Sequence, residues 1–254
     1  MLRTTLRFVA VAAVTAALSA PAMAADWGNL TGRFVFEGKA PEEEKIDTSK
    51  EPGCSKHPVF AETLVVNDED KGIKDVVIYV STKKVKVHPD YKKTAEETVV
   101  MDNKHCRFTP HILPMQLSQT LELHNSDPFS HNSNLAPIGD TPTNPLLSEG
   151  GKQEYHFHRA QKLPVPVSCN IHGWMKGYIV VRDNPYATVS DEHGKFELKN
   201  LPAGSELEFT VWQEKAGWLK AEKSWSKKGV FKKKIKAGDN DLGDIKVPAS
   251  LFDK

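Results

Sequence analysis

Beyond its first two dozen residues the chain has no apolar run long enough to cross a bilayer, so no helical membrane span is expected in the remainder. It has no excess of charge of either sign: 34 Lys and Arg stand against 33 Asp and Glu. Nothing global therefore points to nucleic acid or to a charged membrane surface. It has no internal repeat and little helical periodicity, so neither solenoid nor helical bundle is expected. Cysteine is scarce, with three in 254 residues, and so is methionine, with five, one of them the initiator.

What is present begins with a leader. Arg3 and Arg7 precede an apolar stretch over residues 8–18, and Ala22-Met23-Ala24 has the small-x-small form of a cleavage site. This is the pattern of a secretory signal peptide over residues 1–24, with cleavage after Ala24. Ala25 comes next, so a cysteine-linked lipid anchor is not indicated. The expected location is periplasmic or secreted, and loss of Arg3 and Arg7 takes the formal charge from +1 to −1. In an oxidising compartment thiols tend to pair. Three cysteines leave one over, and a lone exported thiol needs something to hold it.

The remaining chain reads as all-β. Short alternating or β-branched runs recur at residues 30–36, 64–66, 76–80, 120–124, 155–158, 178–181, 195–198 and 207–212, punctuated by Gly, Pro, Asn and Asp. The best helical stretch, 145–149, is a poor one. Such spacing favours a sandwich or barrel. Three zones differ in texture. Residues 25–95 hold a few strands and an acidic loop. Residues 96–183 hold seven of the ten histidines and two of the three cysteines. Residues 184–254 are Lys-rich and open on a hairpin signal at Asp191-Glu192-His193-Gly194.

The tightest motif is Cys169-Asn170-Ile171-His172-Gly173-Trp174-Met175, set between two strand-like runs. Upstream, Asn125-Ser126-Asp127 leads to His131-Asn132 after a β run. A thiolate and two imidazoles in a plane with a weak thioether above it form the blue-copper arrangement, in which the thiolate suits Cu(I) and the imidazoles Cu(II). C-x2-H alone is unspecific and equally compatible with zinc. Methionine at the third position after the histidine narrows the choice, because it is a poor zinc ligand. Cys169 thus becomes the cysteine with a reason to stay unpaired.

This loop resembles the ligand loop of amicyanin, a small cupredoxin with the same C-x2-H-x2-M spacing. Phe108-Thr109-Pro110, Gln119-Thr120-Leu121-Glu122-Leu123 and His131-Asn132 also look like the cupredoxin family, over roughly residues 96–183; Ser118 stands where many members have Gly. The resemblance implies a Greek-key sandwich with one mononuclear copper held by His131, Cys169 and His172, with Met175 axial. It gives Asn132 a supporting role beside the ligand loop and makes His172 the solvent-edge ligand through which electrons pass, with Trp174, Pro128 and Phe129 either around that edge or packed beneath the loop.

Residues 186–204, with Asp191-Glu192-His193-Gly194-Lys195-Phe196 and Leu201-Pro202-Ala203-Gly204, resemble a carboxypeptidase regulatory-like repeat, a transthyretin-like β sandwich. The whole arrangement is similar to larger exported proteins of the methylamine-utilisation type. It implies that residues 25–95 and 184–254 form one sandwich, joined to or interrupted by the copper-binding one. A Cys54–Cys106 disulfide between the first zone and the cupredoxin zone is expected on that basis; two free thiols or a second metal site are the alternatives.

The expected function is that of an exported blue-copper electron carrier, not an enzyme, serving a cytochrome or an exported dehydrogenase. A periplasmic copper-binding or copper-handling protein is the alternative, although the paucity of methionine offers it little. Tyr155-His156-Phe157-His158 stands alone, without a second H-x-H, and no C-x3-C is present, so neither a trinuclear nor a binuclear copper set is legible. The lysines at 227, 228, 232, 233, 234 and 236 suit a charged edge strand better than a partner-steering patch.

Overall fold

A computed structural model of the chain describes residues 26–253. The signal-peptide expectation lies outside the described residues. No described helix is long and apolar enough to cross a membrane. Its regular structure is nearly all strand, with three short 3-10 turns and no α-helix among the described residues.

Two sandwiches share the molecule. In the outer one, Trp27–Glu37 lies between Lys195–Pro202, to which it is antiparallel, and Gly238–Pro248, to which it is parallel. Opposite stands a sheet of Ala187–Val189, Val77–Val80, Glu206–Gln213 and Gly217–Trp218, with Val230–Lys234 also on Glu206–Gln213. Trp27–Glu37 alternates half-buried and buried positions along its length, as one-sided burial requires. Leu30, Phe34, Phe196, Ile78, Phe209 and Val211 meet in its core. The Lys-rich run is the edge strand Val230–Lys234, paired on one side only. The Asp191–Gly194 turn forms as its residues demand: Gly194 N donates to Asp191 O at 2.9 Å, and Gly194 has a φ of 74°.

The second sandwich pairs a sheet of Lys152–Tyr155, Thr120–Asn125, Thr98–Lys104 and Arg107–Thr109 with one of Ile112–Gln116, Lys176–Arg182, Val165–Ser168 and Asn134–Leu135. Its core contains Met101, Leu121, Leu123, Leu135, Val167 and Ile179. Residues 46–59 of the first zone pack here too, through Ile46, Cys54 and Val59, and the Cys54–Cys106 disulfide pins them. The weak helical stretch near 145–149 holds the short strand Leu146–Leu147, paired with His131–Asn132. His156 and His158 lie beyond the end of Lys152–Tyr155 and do not share a strand face. His158 instead contacts Asp140 at 3.2 Å.

The two sandwiches join through faces of strands that are covered on both sides. In Val77–Val80, Ile78 and Val80 point into the outer core, while Val77 and Tyr79 pack with Ile112, Val180 and Trp212 between the sandwiches. All four residues are buried, so the run is continuously apolar instead of alternating. Beside this contact lies a polar latch. His111 is buried, and its Nε2 meets Glu214 Oε2 at 2.7 Å. Tyr178 Oη donates to Glu214 Oε1 at 3.2 Å, and Glu62 stands 3.7 Å from both His111 and Arg107. Burial disfavours a charge on His111, but the bond to Glu214 and the fields of Glu62 and Asp75 outweigh it and hold its pKa above the ordinary value. Burial also raises Glu62.

Both shifts have one sign. A group whose folded pKa lies above its unfolded value stabilises fully below the unfolded pKa, and that stability is lost as pH rises through the folded one. Urea unfolding of the metal-free protein should therefore show stability falling as pH rises above the ordinary histidine value of 6.5, with a smaller fall in His111→Gln. Parallel pH profiles for the two proteins would remove His111 from the latch.

Candidate metal centre

Four segments of the second sandwich converge at one end. The Asn125–His131 turn is shaped by Asn125, whose Nδ2 donates to Phe129 O at 2.8 Å and Leu147 O at 2.9 Å, while its Oδ1 accepts from Asp127 N at 3.1 Å. His131 follows in the short strand paired to Leu146–Leu147. The loop after Val165–Ser168 brings Cys169, His172 and Met175, and it closes on itself: Met175 N donates to His172 O at 2.9 Å and Cys169 N to Met175 O at 3.2 Å. All four residues are buried, His131 completely.

The donor atoms form a triangle. Cys169 Sγ lies 3.9 Å from His131 Nδ1 and 3.7 Å from His172 Nδ1, and the two nitrogens are 2.9 Å apart. A point in that plane about 2.0 Å from both nitrogens falls about 2.1 Å from the sulfur, close to the bond lengths of imidazole and thiolate to a late first-row metal. The residues present therefore fit a single metal ion with two imidazoles and a thiolate. Met175 belongs to the same buried cluster.

Asn132 ties this set together. Its Oδ1 accepts from Asn170 N at 2.8 Å and Ile171 N at 3.3 Å and faces Cys169 Sγ at 3.5 Å, and its Nδ2 donates to Asn144 Oδ1 at 2.6 Å. The side chain thus fixes the ligand loop to the neighbouring strand. The partner of His131 is a residue to which the motif itself assigned no role: Asp127 Oδ2 lies 2.9 Å from His131 Nε2. The position of this aspartate four residues before the histidine was the available signal. Asp127 also accepts from His105 N at 2.7 Å and Cys106 N at 2.9 Å.

His172 departs from the expected solvent edge. Its side chain is only 5% exposed, with Glu51 Oε2 3.8 Å from Nε2. The Phe129 and Trp174 rings flank it at 6.1 and 5.4 Å. A cover made of residues near 51–54 lies over it, packed so closely that a Cβ on Gly53 would fall 2.5 Å from the Phe129 ring. Trp174 is half-buried and donates from Nε1 to Cys106 O at 3.2 Å, so it packs beneath the loop. Exposed apolar surface nearby comes from Ile171 and Leu146. Leu146 is paired opposite Asn132, and Ile171 is bonded to its side chain.

Each titratable group of the cluster is shifted by its neighbours. Burial raises Asp127, but its bonds from His131, Cys106 N and His105 N outweigh this and lower it. Burial opposes a proton on His131, while Asp127 and Cys169 favour one, and the outcome is upward. Burial raises Cys169, and the contact with His131 and neighbouring N–H groups bring it down. Burial and the charge on His131 lower His172. These directions favour the ionised form of Asp127, a proton on His131 and the thiolate of Cys169, and disfavour a proton on His172. A metal ion held between the two ring nitrogens would take the place of a proton there.

No protein-family model matches the chain, and no curated protein matches it. Solved structures do. The chain is similar to a Cu-containing nitrite reductase from Thermus scotoductus, at 25% identity over 34% of this chain and 22% of that one, with a TM-score of 0.31. It is similar to amicyanin in its reduced Cu(I) form, at 17% identity over 41% of this chain and 98% of that one, with a TM-score of 0.31. It is also similar to a purple cupredoxin from Nitrosopumilus maritimus, at 20% identity over 34% of this chain and the whole of that one, with a TM-score of 0.29. The chain thus spans about a fifth of the nitrite reductase. The likeness of the outer strands to a transthyretin-like sandwich finds no support in these matches.

If His131 sets the thiol, His131→Ala should move the pH titration of the Cys169 thiolate upward in the metal-free protein, read by ultraviolet thiolate absorbance. An unchanged titration would show that the His131 contact does not hold the thiolate.

Proposed function

We propose that this chain is an exported mononuclear blue-copper protein that carries single electrons between redox proteins, a cytochrome or an exported dehydrogenase among them. One observation supports it above the others: the buried triangle of Cys169 Sγ and two imidazole Nδ1 atoms, in a loop that also carries Met175. Copper bound there by His131, Cys169, His172 and Met175 supplies a one-electron Cu(II)/Cu(I) couple.

The rest is the work of the chain. The surrounding strands and the closed ligand loop hold the three donors in one compact triangle, which would limit rearrangement when the charge on a bound copper changes. Asn132 holds the N–H groups of Asn170 and Ile171 and keeps the loop from relaxing away from His131. Asp127 orients His131 with Nδ1 toward the sulfur and adds a negative charge behind the ring. Burial keeps water from the donors. No substrate is turned over in this role.

Copper binding without electron exchange is the second reading, and the cover over His172 favours it. That side chain is nearly closed to solvent, which lengthens any electron path through it.

Addition of Cu(II) to the metal-free protein should produce an intense blue thiolate-to-copper band that Cys169→Ser abolishes. A pale, tetragonal spectrum in the parent protein would refute the proposal. Reversible voltammetry against slow metal release separates carrier from copper handling. Asp127→Asn should keep the band but weaken copper affinity by about 10- to 100-fold in competition with a chelator.

A further inference from the structure

Each imidazole of the candidate metal centre turns Nδ1 toward the donor triangle and Nε2 away from it. Behind His131 Nε2 stands Asp127 Oδ2 at 2.9 Å. Behind His172 Nε2 stands a second carboxylate, Glu51 Oε2 at 3.8 Å. An imidazole bound to metal through Nδ1 keeps its proton on Nε2, and a carboxylate facing that N–H orients the ring and tunes the metal through it. The two carboxylates arrive by different means. Asp127 belongs to the same turn as its histidine, whereas Glu51 comes from the cover, far earlier in the chain.

The cover holds this residue in place. Glu51 N donates to Thr48 O at 3.0 Å, and Glu51 O accepts from Cys54 N and Ser55 N, both at 2.9 Å. Those last two bonds lead into the 3-10 turn Cys54–Lys56. Cys54 is bonded to Cys106, whose N–H donates to Asp127. Gly53 lies against the Phe129 ring, which sits 5.1 Å from the His131 ring and 6.1 Å from that of His172. At the root of the cover, Ile46 N donates to Val59 O at 2.8 Å and closes the segment. The Glu51 carboxylate makes no other ion pair among the described residues.

We propose that Glu51 is a positioning residue for the ligand His172: the disulfide-tethered cover fixes its negative charge behind that imidazole, which favours Cu(II) over Cu(I) and lowers the reduction potential of the site. This role rests on the blue-copper reading of the centre. At 3.8 Å the contact is longer than a hydrogen bond, so the carboxylate acts by its field. The oxidised site carries one more positive charge than the reduced one, and a fixed negative charge on the far side of a ligand stabilises it more. The side chain is 41% exposed, so salt weakens the effect. The disulfide matters as a tether, since a field that falls with distance needs the cover to stay where it is.

The test compares the copper-loaded full chain with Glu51→Gln by voltammetry at low ionic strength. The substitution keeps the length of the side chain and removes its charge. The blue band should persist and the potential should rise, by an amount that shrinks on adding salt. Glu51→Asp, which withdraws the carboxylate by one methylene, should give a smaller rise. In a Cys54→Ser/Cys106→Ser background, Glu51→Gln should shift the potential less, because the tether is gone. In the metal-free protein, diethyl pyrocarbonate should modify His172 faster in that background than in the parent, read by peptide mass. A blue parent whose potential is unmoved or lowered by Glu51→Gln overturns the proposal and leaves the blue-copper reading standing, and this comparison needs neither cysteine variant. A parent without a blue band overturns both. Equal shifts with and without the disulfide overturn the tether.

Discussion

One carboxylate carries more of this structure than its place in the sequence implies. Asp127 accepts from three donors at once: the N–H groups of His105 and Cys106 and the ring of His131. The first two are the amides of a left-handed turn, and the third belongs to a candidate metal ligand. Through Cys106 the same carboxylate reaches the disulfide, and through the disulfide the segment that covers His172. The ligand geometry and the cover over it are therefore one assembly. A buried carboxylate with two or three donors is held ionised, and its charge faces His131 away from the sulfur.

The same economy governs the meeting of the two sandwiches. Val77–Val80 and Lys176–Arg182 are each buried on both faces over much of their length. Each contributes to its own core and to the shared contact with Ile112 and Trp212. The His111–Glu214 pair sits at the edge of that contact, and His111 Nδ1 lies 3.1 Å from Lys176 O, next to Met175. The outer sandwich thus reaches the residue after the ligand loop through His111.

How much of this the sequence discloses depends on how local each interaction is. The loop from Cys169 to Met175 is legible because three donors lie within seven residues. His131 is legible because Asn132 follows it and a β run precedes it. Trp27–Glu37, Val77–Val80, Thr120–Asn125, Lys176–Arg182, Lys195–Pro202 and Glu206–Gln213 show through short alternating or β-branched runs, whereas Thr98–Lys104, Ile112–Gln116 and Val230–Lys234 do not stand out. Gly238–Pro248 does not, because its Gly, Asp and Asn content looks like a turn, although it runs parallel to Trp27–Glu37. Leu146–Leu147 is too short to show any period. The cover is invisible for another reason: Glu51 and Gly53 meet His172 and Phe129 across more than seventy residues of chain, and no spacing rule connects them. The exposed His172 implied by family likeness fails on this point, since the cover lies outside the part of the chain that carries the likeness.

The contact between the sandwiches also bears on how the chain can be cut or inherited. A fragment holding only residues 96–183 would keep His131, Cys169, His172 and Met175. It would also expose Ile112, Tyr178 and Val180 and leave Cys106 without its mate. Apolar patches of that kind invite association. The ligand-bearing half is therefore not a portable module, and recombination between these halves would have to carry the facing surface along with it.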